Sequence, residues 1–223
     1  MSRGPELDWS VIPDHADLLW RGVQLTVLLT VVTMALSLAI GLVLAIMRVS
    51  HRRLLRWPSS VVVNFFRSLP VLLLLFWVFY VLPSITDFRM SPFVAALAGL
   101  TAAGSAYVAE IYRAGIMSIR KGQREAALAL GMSTGQAFRR VVLPQAVRRV
   151  VPPMATIWVS LFKETSLVST IGVADLSHAA LSVRASTFRV FEVLTALALI
   201  YLVLAYPQAK LADWLHRRYR VQE

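Results

Sequence analysis

Twenty-six consecutive residues, Gly22 to Met47, carry no charged side chain, and this run limits the chain's possible folds more than any other feature. A helix rises 1.5 Å per residue, so ~20 apolar residues cross the hydrocarbon of a bilayer. The run is too long for the apolar core of a signal peptide and is read as a membrane span. The residues before it, Met1 to Leu19, hold Glu6, Asp8, Asp14 and Asp17 and lack a basic start followed by an apolar stretch, so no cleavable signal is expected. The chain as a whole is 57% apolar, which fits a membrane protein.

Four further segments repeat the pattern. Segment two is expected over about Ser59 to Pro83, with Arg67 just inside its start and Pro70 kinking it. Segment three covers Met90 to Ala109, where Gly99 and Gly104 suit close helix packing. Segment four is read as one span, about Val151 to Ile171, with Lys163 and Glu164 near mid-depth. Segment five runs from about Phe191 to Ala209, with Glu192 at its edge. The expected fold is therefore all-α and polytopic, with five transmembrane helices and no internal repeat.

Charge then sets the expected orientation. The net charge is +11, which in a soluble protein would suggest nucleic acid. Here 16 of the 23 basic residues fall on one side of the five segments. They are Arg48, Arg52, Arg53 and Arg56 after segment one, eight between segments three and four (Arg113 to Arg149), and Lys210, Arg217, Arg218 and Arg220 after segment five. Arg3, Arg21, Arg89, Arg184 and Arg189 face the other way. Basic residues collect on the cytoplasmic side, so the amino terminus is expected outside and the carboxyl terminus inside, with no nucleic-acid partner. Residues 1–20 then form an extracytoplasmic segment, in which Asp8 to Trp20 reads as amphipathic, 21–212 the transmembrane domain, and 213–223 a cytoplasmic tail.

Several chemistries are excluded. There are no cysteines, hence no disulfide, thiolate metal site or thiol nucleophile. His15, His51, His178 and His216 are scattered, and no metal or catalytic constellation is expected. No Gly-x4-Gly-Lys-Ser/Thr loop is present to cradle a nucleotide phosphate.

The stretch from Arg113 to Arg149 is too long for a simple connector. Gln123 to Leu130 is composed of helix formers, and Gly131 can end that helix in a left-handed turn. Ser133 or Thr134 can cap a second helix near Gln136 to Val142, and Pro144 is expected to limit its continuation. The order is Glu125-Ala126-Ala127, three residues, Gly131, nine residues, Val141, one residue, Leu143-Pro144. This spacing resembles the cytoplasmic loop of ABC importer permeases, with Val141 where isoleucine is commonest. Asn64 to Pro70, Tyr107 to Ile116 and Lys163-Glu164-Thr165-Ser166-Leu167 are similar to the polar amino acid branch of those permeases.

That resemblance implies the type I importer fold seen in methionine and histidine importers. It makes 113–149 a coupling loop that docks on an ATPase, with Glu125, Ala126, Ala127, Gly131, Val141, Leu143 and Pro144 as its coupling residues. It also implies two ATPase subunits that carry the ATP and Mg, a second permease subunit (identical or homologous), an extracytoplasmic solute-binding protein, and a plasma-membrane location. This chain itself would bind no cofactor and be no enzyme. The substrate implied is a polar amino acid, glutamate, aspartate or glutamine first, with arginine, histidine, opines and ectoine-like zwitterions also open.

Other residues stand out within the spans. A charge at the bilayer centre costs about 2.5–3.5 kcal/mol on insertion scales, so intramembrane ions face protein or water. Glu164, Thr165 and Ser166 are candidates for the substrate path, where a carboxylate would meet the substrate ammonium. The competing reading is a structural Lys–Glu interaction with neighbouring helices. Arg67 and Glu110 are read as structural charges, with Arg67 either snorkelling to phosphate headgroups or pairing with Glu110. Tyr107 and Gly104 are path candidates for which helix packing is the stronger reading. A self-sufficient channel or ion-coupled carrier is the alternative function, and the absence of inverted halves opposes it.

Overall fold

The computed structural model describes residues 7–219. Arg3, Glu6 and Arg220 of the charge reading, with the outermost parts of the 1–20 and 213–223 segments, lie outside the described residues. All regular structure among the described residues is helical. In chain order the helices are α1 (Val11–Asp14), α2 (Ala16–Val49), α3 (Arg53–Ser68), α4 (Val71–Phe76), α5 (Leu82–Thr86), α6 (Pro92–Met117), α7 (Lys121–Ala129), α8 (Thr134–Ala137), α9 (Leu143–Glu164), α10 (Leu176–Thr187) and α11 (Val190–Arg218). Wider π-helical turns, Trp77–Val81 and Phe138–Val142, join α4 to α5 and α8 to α9, and a 3₁₀ stretch, Thr165–Ile171, follows α9.

Among the described residues three helices, α2, α6 and α11, are each long and apolar enough to cross a membrane. Two bent helix pairs, α3 with α4–α5 and the stretch from α8 to Ile171 with α10, raise the number of candidate spans to five if each pair counts as one. The amphipathic segment expected over Asp8 to Trp20 resolves into the single turn of α1 and the start of α2.

Two expectations need correction. Segment two was read as one kinked span, but the helix stops at Ser68, and Leu69 is extended (φ −93°, ψ 137°) ahead of Pro70. Proline disfavours the α conformation in the residue before it, so Leu69-Pro70 ends one helix and starts another. The first half of that segment, with Asn64 and Arg67, belongs to α3, which also takes in Arg53 and Arg56 ahead of the segment and is not by itself among the helices long and apolar enough to span. Conversely, Pro144 does not end the second loop helix, because helix continues from Thr134 through α9. Pro144 follows directly on the π turn, whose extra residue per turn leaves room for a proline ring and a missing N–H.

The chain divides into two compact units. One comprises residues 1–33, 71–100 and 160–208. Its core gathers Val11, Leu19, Val23, Leu176, Ala179, Ala180, Val183 and Val193. Gly22 is needed there, since a Cβ would stand 2.8 Å from Leu176 Cα. The Leu176 amide donates to Thr26 Oγ1 at 3.1 Å. Asp175 is fully buried and accepts from the amides of Ser177 (3.2 Å) and His178 (3.0 Å), capping α10. Near the start of the described chain, the Asp8 amide donates to Glu192 at 2.9 Å. The hydroxyl and amide of Ser10 hold the Asp8 carboxyl below the usual carboxylate range.

The second unit comprises residues 34–70, 101–159 and 209–223. Ala45, Val63, Ala106 and Ala109 form a core of small side chains, flanked by Leu44, Phe66 and Tyr112. α2 and α6 meet closely here: a Cβ on Gly41 would lie 2.5 Å from Val108, and one on Gly104 would lie 2.5 Å from Ser37 Oγ. Within lipid, where apolar burial gives helices little reason to associate, such close backbone packing supplies the attraction.

Candidate functional site

The α6–α9 connection is a rigid hairpin. Gly131 sits at φ +82°, the left-handed region in which a Cβ costs about 1–2 kcal/mol. The Gly131 amide donates to Leu128 (3.0 Å) and the Met132 amide to Ala127 (3.1 Å), a Schellman closure of α7. Ser133, rather than Thr134, caps α8. Its hydroxyl accepts from the Gln136 amide at 3.3 Å while the Gln136 side chain accepts from the Ser133 amide at 2.9 Å. The two short helices are thus joined through a turn with both ends hydrogen-bonded.

The base of this hairpin is also fixed. A Cβ on Gly115 of α6 would clash with Val150 of α9, so these helices touch. Arg149 donates to the Ser118 carbonyl at 2.6 Å, and Gln145 to Gln123 at 3.2 Å. The tip is open. Glu125, Ala126 and Gly131 are exposed, and Leu130 is 79% exposed, while Ala127 packs inward. Val141 is half-buried in the π turn, and Leu143 and Pro144 are exposed at the start of α9. Leu130 is thus a large apolar side chain left in the open on the hairpin.

Glu110 of α6 organises the helix ends around it. Its carboxylate accepts from Arg48 of α2 at 2.5 Å and from Arg113 through Nε (3.1 Å) and Nη2 (2.5 Å). Arg67 of α3 is a looser third cation, 3.8 Å away and half-exposed, with its guanidinium over the Tyr107 ring. The sequence reading paired Glu110 with Arg67 alone and missed Arg48 and Arg113. Arg113 was accessible from its i+3 spacing on the helix, whereas Arg48 had only its position at the end of a span. The Tyr107 hydroxyl contacts the Arg67 carbonyl at 3.5 Å, and Gly104 is spent on packing against Ser37.

Glu164 and its neighbours belong to the other unit. α-Helix gives way to 3₁₀ helix at Glu164. The hydroxyls of Thr165, Ser166, Ser169 and Thr170 each donate to the carbonyl three residues earlier. Those bonds match the tighter 3₁₀ repeat, and mid-span 3₁₀ stretches commonly mark hinges. Thr165 is fully buried, Ser166 and Glu164 are half-buried, and Lys163 is exposed. Among the described residues the Glu164 carboxylate has no ion-pair partner, so a Lys163–Glu164 bridge is not formed.

Residues 37–221 match the family model described as the binding-protein-dependent transport system inner membrane component. The chain belongs to that family. This permease is 34% identical over 217 residues to the glutamine transport system permease protein of Escherichia coli (strain K12), covering 97% of this chain and 99% of that one. It is 36% identical over 216 residues to the L-cystine transport system permease protein of Bacillus subtilis (strain 168), covering 94% and 89%. A crystal structure of an amino acid ABC transporter with histidines superposes with a TM-score of 0.90 at 32% identity, covering 95% of this permease and 99% of that chain. The resemblance read from the sequence is borne out, and the fold is that of the type I importer permeases. The permease is a multi-pass inner-membrane component.

Proposed function

We propose that this permease is the transmembrane subunit of an ABC importer for a polar amino acid. It crosses the membrane five times, with its amino terminus outside and its carboxyl terminus in the cytoplasm. The charge asymmetry of the sequence supports that orientation, and the hairpin 113–149 then lies on the inner face. The rigid α7–Gly131–α8 hairpin, with its exposed apolar tip, is the observation that carries the reading. Two ATPase subunits closing on ATP and Mg would push these hairpins in a pair of permease subunits, identical or homologous. Each push would turn the cavity outward, toward a solute-binding protein. A motor shifts such an equilibrium only by binding the two states unequally, which requires a handle stiff enough to transmit the difference.

Relatives that transport glutamine and L-cystine favour a zwitterionic amino acid, with glutamine, glutamate or aspartate as the first candidates. Glu164, half-buried and without a partner at the change to 3₁₀ helix, is the group we assign to the substrate ammonium, with Ser166 beside it. Thr165, buried and bonded to Phe162, supports the local backbone instead. Arg67, Glu110 and Lys163 are structural charges, and Gly104 serves packing.

A cysteine at Ala126, otherwise in the native sequence, tests the assignment by crosslinking in membranes. Capture of an ATPase subunit, together with uptake that requires that subunit, supports it. Uptake by the purified permease alone would instead establish a self-sufficient carrier.

A further inference from the structure

A cleft of about 720 Å³ opens where α2 and α6 end, beside the base of the hairpin. Much of its lining is apolar, with Val49, Ile116, Ile119, Phe138 and Val142. The same lining carries Arg120, Lys121, Arg124 and His51 and no carboxylate. Arg120, Lys121 and Arg124 have no ion-pair partner among the described residues. Three uncompensated cations facing one space raise its potential and favour an anion.

Position narrows the choice of anion. Val49 is the last residue of α2 and Met117, also in the lining, the last of α6. By the span assignments Met47 closes segment one and Ala109 segment three, so the cleft lies at and just beyond the headgroup level of one membrane face. A ligand there meets both cations and apolar side chains. An anionic phospholipid offers that combination, with a phosphate for Arg120, Lys121 and Arg124 and acyl carbons for Ile119, Phe138 and Val142.

We propose that this cleft is a binding site for an anionic phospholipid, which wedges between the ends of two spans and the coupling hairpin. The occupant bears on coupling, because Phe138 and Val142 lie in the π turn that joins α8 to α9. The inference rests on the membrane placement of the family and not on which amino acid is carried.

The test uses the permease co-purified with its ATPase partners, in nanodiscs of phosphatidylcholine with or without phosphatidylglycerol. Lipid retained by the complex is read by native mass spectrometry. The wild type is expected to retain phosphatidylglycerol in preference to phosphatidylcholine, and equal retention overturns the proposal without any variant. The combined variant Arg120→Gln, Lys121→Gln, Arg124→Gln is expected to weaken phosphatidylglycerol binding on the order of a hundredfold. The control Arg53→Gln, Arg56→Gln, Arg217→Gln removes three charges outside the cleft and is expected to leave retention unchanged. Equal loss in the control would show diffuse charge attraction and overturn the site. Displacement of phosphatidylglycerol by inorganic phosphate would show a simple anion site and overturn the lipid assignment. Loss of the ATPase subunits from the cleft variant in phosphatidylcholine alone would assign the cations to an acidic protein surface. Amino acid uptake into proteoliposomes of the same two lipid compositions reports the transport reading separately, because its failure leaves lipid retention untouched.

Discussion

Arg48 and Glu110, 62 positions apart in the chain, meet at 2.5 Å, with side chains 10% and 21% exposed. The pair ties the end of α2 to α6, and Arg113 completes the carboxylate's bonding. Hydrogen bonds to a charged group contribute about 1.5–3 kcal/mol, and more is lost when one buried partner is left alone. Glu110→Gln is therefore expected to destabilise the purified permease by at least ~1.5 kcal/mol, read as a lowered thermal midpoint. Arg67→Gln, which removes a 3.8 Å contact with Glu110 and the guanidinium over the Tyr107 ring from a half-exposed side chain, is expected to cost ~0–1 kcal/mol. Equal effects of the two changes would contradict this ranking.

Gly131→Asp places a Cβ on a residue at φ +82°. Nothing crowds that position, so the cost is backbone strain of about 1–2 kcal/mol and a deformed turn rather than a clash. Hydrolysis by the assembled transporter is expected to persist while uptake per ATP falls. Gly131→Asn, which tolerates the left-handed region better, is expected to retain more coupling. Full coupling in the Asp variant would remove the turn from the mechanism.

Ser133→Ala removes the hydroxyl that caps α8 and leaves the Gln136 amide unsatisfied. A lost cap of this kind costs about 1 kcal/mol. The effect is local, so amide exchange over residues 134–137 is expected to quicken while the α2–α6 contact stays protected. Unchanged exchange would mean that the Gln136 half of the box suffices.

Gly41→Leu forces a side chain into the α2–α6 contact, where the first carbon alone would stand 2.5 Å from Val108 and 3.0 Å from the Ser105 carbonyl. Overpacking of this kind costs about 1–3 kcal/mol. Reduced yield of folded permease in membranes is expected. Gly122→Leu, at an open position on α7, is expected to leave the yield near wild type.

Glu164→Gln keeps the shape of the side chain and removes its charge. Among the described residues no ion pair is lost, so assembly with the ATPase subunits is expected to be normal while uptake of a zwitterionic substrate falls. Normal uptake would take Glu164 out of the path.

The hairpin shows how far local chemistry can be read. Gly131 at the left-handed position, a cap at Ser133 and small residues at Ala126 and Ala127 are properties of a few neighbouring residues. At the turn itself the structure added that Ser133 rather than Thr134 is the cap. Pro144 was misread because a proline's effect depends on the helix ahead of it, and the π turn Phe138–Val142 absorbs it. The break at Leu69-Pro70 was expected as a kink, but local preference alone does not say how far a chain will turn.

By itself the sequence determined that this protein lives in a membrane, where its long apolar runs lie, and which family its loop belongs to. Those follow from length, hydrophobicity and spacing, which are additive along the chain. Tertiary structure alone decided that Arg48 reaches Glu110, that Asp175 is buried as the cap of α10, and that Gly22 and Gly41 are contact points. Each depends on which distant residue arrives within a few ångströms, and packing sets that rather than composition.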